Sequence, residues 1–170
     1  LLQDTELVTA YAQCALRQGD ANAAEAVVRK AVDRGGDDAL IALYGTIASS
    51  RLDKQRSAAK HWQDSRPANA AVALTMGRLQ MREQDWAKAR ESFETSLKLK
   101  PTPAVYTELG RLCCALGEMD RGTEYLRVGM PGLPELPLPK SGDQGLDAGP
   151  SLAAVVEEAQ RDAAVDAAKA

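Results

Sequence analysis

The chain has 170 residues, 45% apolar and 26% charged, with a formal net charge of −3. That length holds one domain or a short repeat array with its own core. The slightly acidic balance argues against a dedicated nucleic-acid binder, and three cysteines give no disulfide framework.

No apolar run approaches the roughly 18 residues of a membrane span, and no cationic-then-apolar leader opens the chain. It begins Leu1-Leu2-Gln3 without Met, as an excised fragment would. Aromatic residues are few, at 4%, and clean period-2 runs of Val, Ile and Thr are missing, so the composition favours an all-helical protein.

In chain order, small residues recur at Ala12, Gly45, Gly77 and Gly110, spaced by 32 or 33 residues. After Ala12 come Ala24, Val28, Ala31 and Gly36. After Gly77, at the same offsets, come Ala89, Phe93, Ser96 and Pro101; after Gly110 come Gly122, Leu126, Gly129 and Pro134. The second unit needs one inserted residue to bring Ala58, Trp62 and Ser65 into line after Gly45, and Pro67 comes early.

Each unit reads as two helices; in the third they run from Ala70 to about Glu83 and from Trp86 to about Leu99. The small residue at 77 lets the second helix approach the first, with Ala89 and Ser96 doing the same from the other side. Phe93 fills the gap to the next unit, and Pro101 stops the helix. Gln18-Gly19-Asp20 and Leu116-Gly117-Glu118 read as turns between helices, where Gly accepts φ > 0. One such hairpin cannot bury its apolar face; four stacked hairpins can. The order small, Ala, aromatic or aliphatic, Pro, at a period near 34, resembles the tetratricopeptide repeat (TPR). That resemblance implies an all-α, right-handed superhelix with a concave groove.

The expected organisation is a repeat array over 1–130, with units of about 5–37, 38–69, 70–102 and 103–130. Four prolines between Pro131 and Pro139 make 131–151 a Pro/Gly-rich linker. An acidic, Ala-rich helix follows over 152–170, with Ser151 as its N-cap. Residues 141–170 carry Asp143, Asp147, Glu157, Glu158, Asp162 and Asp166 against Arg161 and Lys169. The acidic helix is expected to occupy a concave surface of its own chain or of a second copy; the alternatives are a disordered tail or a helix capping the exposed face of the fourth hairpin.

Chemistry-bearing motifs are sparse. His61, the single histidine, has no Cys, Asp or second His at ligand spacing, and reads as structural or solvent-exposed. Cys14, Cys113 and Cys114 form no C-x₂-C pair. Cys113 and Cys114 project about 100° apart on a helix; the repeat frame turns Cys113 toward packing and Cys114 toward the groove. No phosphate-binding glycine loop and no catalytic constellation stands out, so the expectation is a non-enzyme with no metal site and no resident cofactor.

What remains is a binding wall. By the TPR resemblance it is built from first-helix residues not used in packing. The residues singled out are Arg17, Thr46, Leu74, Arg78, Met81, Arg82, Thr107, Arg111 and Cys114. Small residues surround them: Ala39, Ala42, Ser49 and Ser50 in the second unit, Ala71 in the third, Ala104 in the fourth. Arg78 and Arg111 hold equivalent places, and paired guanidinium groups suit carboxylates. The alternative is that they are solvated or paired with local acids such as Glu108 and Glu83. The wall lacks the asparagines of the Lys/Asn carboxylate clamp found in chaperone-binding TPRs.

Three stretches carry a closer resemblance: Ala39-Leu40-Ile41-Ala42-Leu43-Tyr44-Gly45, the run Asp85 to Leu97 containing Trp86-Ala87-Lys88-Ala89-Arg90, and Lys100 to Leu109 opening Lys100-Pro101-Thr102-Pro103. Together they resemble the C-terminal TPR region of the bacterial HemY family of haem-biosynthesis operon proteins. The resemblance implies a parent protein anchored in the bacterial inner membrane by N-terminal spans; the soluble domain is expected on the cytoplasmic side, a side the resemblance does not fix. It also implies a scaffold late in protohaem synthesis, with enzymes of that synthesis among its protein partners. One alternative is a porphyrin- or haem-binding or transfer module, the arginines holding propionates and His61 or Cys114 the iron. Another is a generic TPR adaptor unrelated to haem.

Overall fold

The computed structural model describes residues 4–129, eight α-helices with no strand among them. The linker and tail expected over 131–170 lie outside the described residues. The helices are α1 (Thr5–Arg17), α2 (Ala21–Asp33), α3 (Asp38–Tyr44), α4 (Leu52–Ser65), α5 (Ala70–Arg82), α6 (Trp86–Leu99), α7 (Pro103–Ala115) and α8 (Met119–Gly129).

Local chemistry sets their ends. Asp4, Asp20, Asp37, Asn69, Asp85 and Thr102 each accept a backbone N–H of the first turn of α1, α2, α3, α5, α6 and α7. In three units the first helix closes with a left-handed residue seven positions after the small one: Gly19 (φ 80°), Gln84 (φ 62°) and Gly117 (φ 83°). The following N–H then reaches back five residues, Asp20 to the Ala15 carbonyl, Asp85 to Gln80 and Glu118 to Cys113.

The small residues act where the repeat frame places them. A Cβ built on Gly77 would lie 2.5 Å from Phe93 Cδ1, and one on Gly110 2.5 Å from Leu126 Cγ. Helix α5 therefore lies directly against α6, and α7 against α8. Ser96 donates to the Ala70 carbonyl at 2.8 Å across the same seam. Trp62 and Phe93 are buried. Leu126, at the equivalent position of the fourth unit, is half-exposed, because among the described residues no helix follows α8 to cover it.

The second unit departs from the expected hairpin. Helix α3 ends at Tyr44, and residues 45–51 run non-helically to α4. Gly45 then faces α5, where an added Cβ would meet Thr75 Cα at 3.0 Å. Side chains from three units replace the missing helical hydrogen bonds. Arg82 donates to the Ile47 and Ser49 carbonyls at 3.0 and 2.6 Å. Gln55 donates to the Ile47 carbonyl at 3.0 Å. Asn22 Oδ1 accepts from the Ser49 and Ser50 hydroxyls. Thr46, Ser49 and Ser50 are therefore not on a first-helix wall. Trp62, one position later than its counterparts, stands edge-on to Tyr44 at 4.8 Å and donates Nε1–H to Asp33.

Candidate functional site

The first helices α3, α5 and α7 leave a groove of about 260 Å³. Its floor is Ala39, Ala42, Ala70, Ala71, Leu74 and Ala104, its rim carries Asp38, Lys100 and Thr102, and the buried Ser96 lies beneath. Five of the floor residues are wall positions read from the repeat frame. The polar rim was missed: Asp38 and Thr102 sit in a first turn or cap, and Lys100 closes α6, positions that helix periodicity does not assign to a face. An alanine floor lets another backbone come close, and it offers few polar groups to satisfy.

The arginines divide. Arg78 is a strut: Nε donates to Glu108 Oε1 at 2.9 Å and an Nη to the Ala42 carbonyl at 3.0 Å, so one side chain ties α5 to both α3 and α7. Arg82 holds the non-helical segment, donating also to Gln55 Oε1 at 2.7 Å. Arg111 is 69% exposed and reaches the other oxygen of Glu108 at 3.4 Å. Arg17 is exposed in the last turn of α1. Met81 packs beside the buried cluster around Phe93. Thr107 is exposed, its hydroxyl donating to the Pro103 carbonyl at 2.8 Å.

Cys114 does not face the groove. A Cβ on Gly122 would collide with its Sγ, which places the thiol in the α7–α8 seam, where the missing glycine side chain makes room. Cys113 is buried beside Arg90 of α6, and burial raises its thiol pKa. His61 lines a different cleft, of about 600 Å³, with Arg29, Asp33, Asp53, Lys54, Ser57 and Ala58. These residues do not fit a haem: histidine and thiol lie outside the groove, and Arg78 is bonded within the protein. Among the described residues no group of three His, Cys, Asp or Glu could hold a metal, and no helix is long and apolar enough to cross a membrane.

A buried carboxylate supports the site from behind. Glu25 of α2 accepts from the Tyr44 hydroxyl at 2.8 Å and from Arg29 Nε at 2.9 Å, fixing the end of α3.

No family model and no curated protein matches the chain. Solved structures do. It is 21% identical to the crystal structure of TTC0263, a thermophilic TPR protein from Thermus thermophilus, with a TM-score of 0.60 over 75% of this chain and 73% of that one. A crystal structure of MamA matches at 16% identity and a TM-score of 0.51, covering 75% and 77%. MamA 41-end from Desulfovibrio magneticus RS-1 matches at 16% and 0.52, covering 75% of each chain. At these identities the likeness is one of fold: the described residues form an all-helical, TPR-like array.

Proposed function

We propose that this chain is a protein-interaction scaffold whose concave face takes a helix of a partner protein. The observation that carries the reading is the groove floored by alanines from three successive first helices. Small side chains let a helix settle against the floor, and the rim offers Lys100 and Asp38 for register. Arg111, exposed one repeat beyond Arg78, gives the face a cation for an acidic partner residue. The reading is a non-enzymatic adaptor, because the groove is mostly apolar surface suited to packing a helix.

The finer assignment rests on sequence alone. The HemY resemblance in residues 39–45, 85–97 and 100–109 favours a membrane-anchored parent and partners among enzymes of late protohaem synthesis. A generic adaptor role fits the groove equally well.

The test uses helical peptides selected from a displayed library on the purified 170-residue chain. Ala39→Arg and Ala71→Arg each set a long side chain across the floor. Affinity should fall at least about tenfold, roughly 1.4 kcal/mol, with little change in melting temperature. Peptides that bind both variants as well as the parent would place the site elsewhere and end the groove reading.

A further inference from the structure

The outer face of α1 repeats an interface that the array uses three times further along. Count from the small residue of each unit. At the position five before it stand Leu7, Leu40, Val72 and Val105; at one before it, Tyr11, Tyr44, Met76 and Leu109; at two after it, Cys14, Ile47, Leu79 and Leu112. In the second to fourth units all of these are buried, none more than 8% exposed. They face backward along the array. Val72, Met76 and Leu79 join the core cluster of the first two units. Val105, Leu109 and Leu112 join the cluster that holds Ala89 and Phe93 of α6.

In the first unit the same three positions keep their apolar or thiol character and are open. Leu7 is 43% exposed, Tyr11 51%, and Cys14 is exposed. A helix that ends an array ordinarily turns a polar face outward, and α1 does not. The pair Leu7 and Tyr11 also matches Leu40 and Tyr44 in residue type. What meets that second pair is α2, whose Glu25 accepts the Tyr44 hydroxyl. The N-caps coincide as well, Asp4 with Asp37, at the same distance before the small residue.

We propose that the Leu7–Tyr11–Cys14 stripe is a docking surface for one further amphipathic helix of the α2 type, stacked on α1 in the array's own sense and placing an acceptor against the Tyr11 hydroxyl. The site is a continuation of the interface already built between α2 and α3, α4 and α5, and α6 and α7. It is separate from the groove and stands or falls without it.

The probe is a copy of residues 20–36 joined directly to Asp4 of residues 4–170, which reproduces the join from α2 to α3. Because each stacked interface adds to the stability of such an array, the melting temperature should rise by at least about 3 °C. Alkylation of Cys14 by a maleimide, read by peptide mass, should slow at least about tenfold, the thiol now being covered. Leu7→Lys with Tyr11→Lys should abolish both effects in the extended chain and leave the melting temperature of the 170-residue chain within about 1 °C. An extension that neither stabilises the chain nor protects Cys14 would overturn the proposal. So would a double variant that destabilises the unextended chain as much, because its own residues then cover the stripe. A concentration-dependent dimer lost in the double variant would assign the surface to a second copy instead.

Discussion

Replacing Gly77 by Ala tests the central packing argument, because local propensity and tertiary packing predict opposite signs. In an exposed helix interior the change stabilises by up to about 1 kcal/mol, since Gly has more backbone freedom to lose. Here the added methyl would sit 2.5 Å from Phe93 Cδ1, and Phe93 is fully buried with no room to retreat. Overpacking of this kind costs about 1–3 kcal/mol, so Gly77→Ala should destabilise by roughly 1–2 kcal/mol in total. Phe93→Ala alone should cost about 3–5 kcal/mol. In the Phe93→Ala background the clash is gone, and Gly77→Ala should become neutral or stabilising. The cycle then shows a coupling of about 1–3 kcal/mol. Urea unfolding followed by far-UV circular dichroism measures all four proteins, given a constant m value. Gly77→Ala that stabilises the parent chain, or a cycle additive within about 0.5 kcal/mol, would refute the direct contact of α5 with α6 through this pair. Gly110→Ala should destabilise as well, because its added methyl would meet Leu126 Cγ at 2.5 Å and the Gly122 carbonyl at 3.0 Å.

Two further outcomes follow from the second unit. Arg82→Ala removes the charged donor from the Ile47 and Ser49 carbonyls and from Gln55, and should cost about 2 kcal/mol, with amide exchange across residues 46–50 accelerated well beyond that of α5; unchanged exchange there would show that the arginine does not hold the segment. Burial, with the Glu25 carboxylate beside it, raises the Tyr44 hydroxyl above its ordinary value of 10.0. The folded chain therefore keeps this proton where the unfolded chain loses it, so stability is full below about pH 10 and falls as pH rises beyond it. Urea midpoints from pH 8 to 11 should show that decline, and Tyr44→Phe should flatten it; a slope equal in both proteins would place its origin elsewhere.

The parts of the fold legible in the sequence are those set by helix periodicity. Gly77 with Phe93 and Gly110 with Leu126 mark where two helices touch, because only a residue without a side chain admits the ring or branched chain opposite. The same periodicity put Ala39, Ala42, Ala71, Leu74 and Ala104 on one wall, and they floor one groove. The break in the second unit was not legible. Residues 45–51 leave the helix because Asn22, Gln55 and Arg82 satisfy the segment from three different units, and those partners meet only once the array is stacked. Cys114 misled for a related reason: its direction depends on Gly122 opening space beside it on the next helix.

Arg78 and Arg111 show where a repeat frame stops being informative. Their equivalent positions made them a pair of cations suited to a carboxylate from a partner. In the folded chain the carboxylate between them is Glu108, one oxygen on each guanidinium. The equivalence is then broken by burial, with the Arg78 side chain 16% exposed and that of Arg111 69%. A partly buried arginine bonded to a carboxylate and a carbonyl sets the spacing of α3, α5 and α7. Removing it leaves Glu108 without its closer cation and the Ala42 carbonyl without this donor. The exposed arginine gains little from its 3.4 Å contact and remains available to a partner. Identical residues at identical repeat positions thus do different work. An ion pair between units depends on what each neighbour presents, which the repeat position alone does not specify.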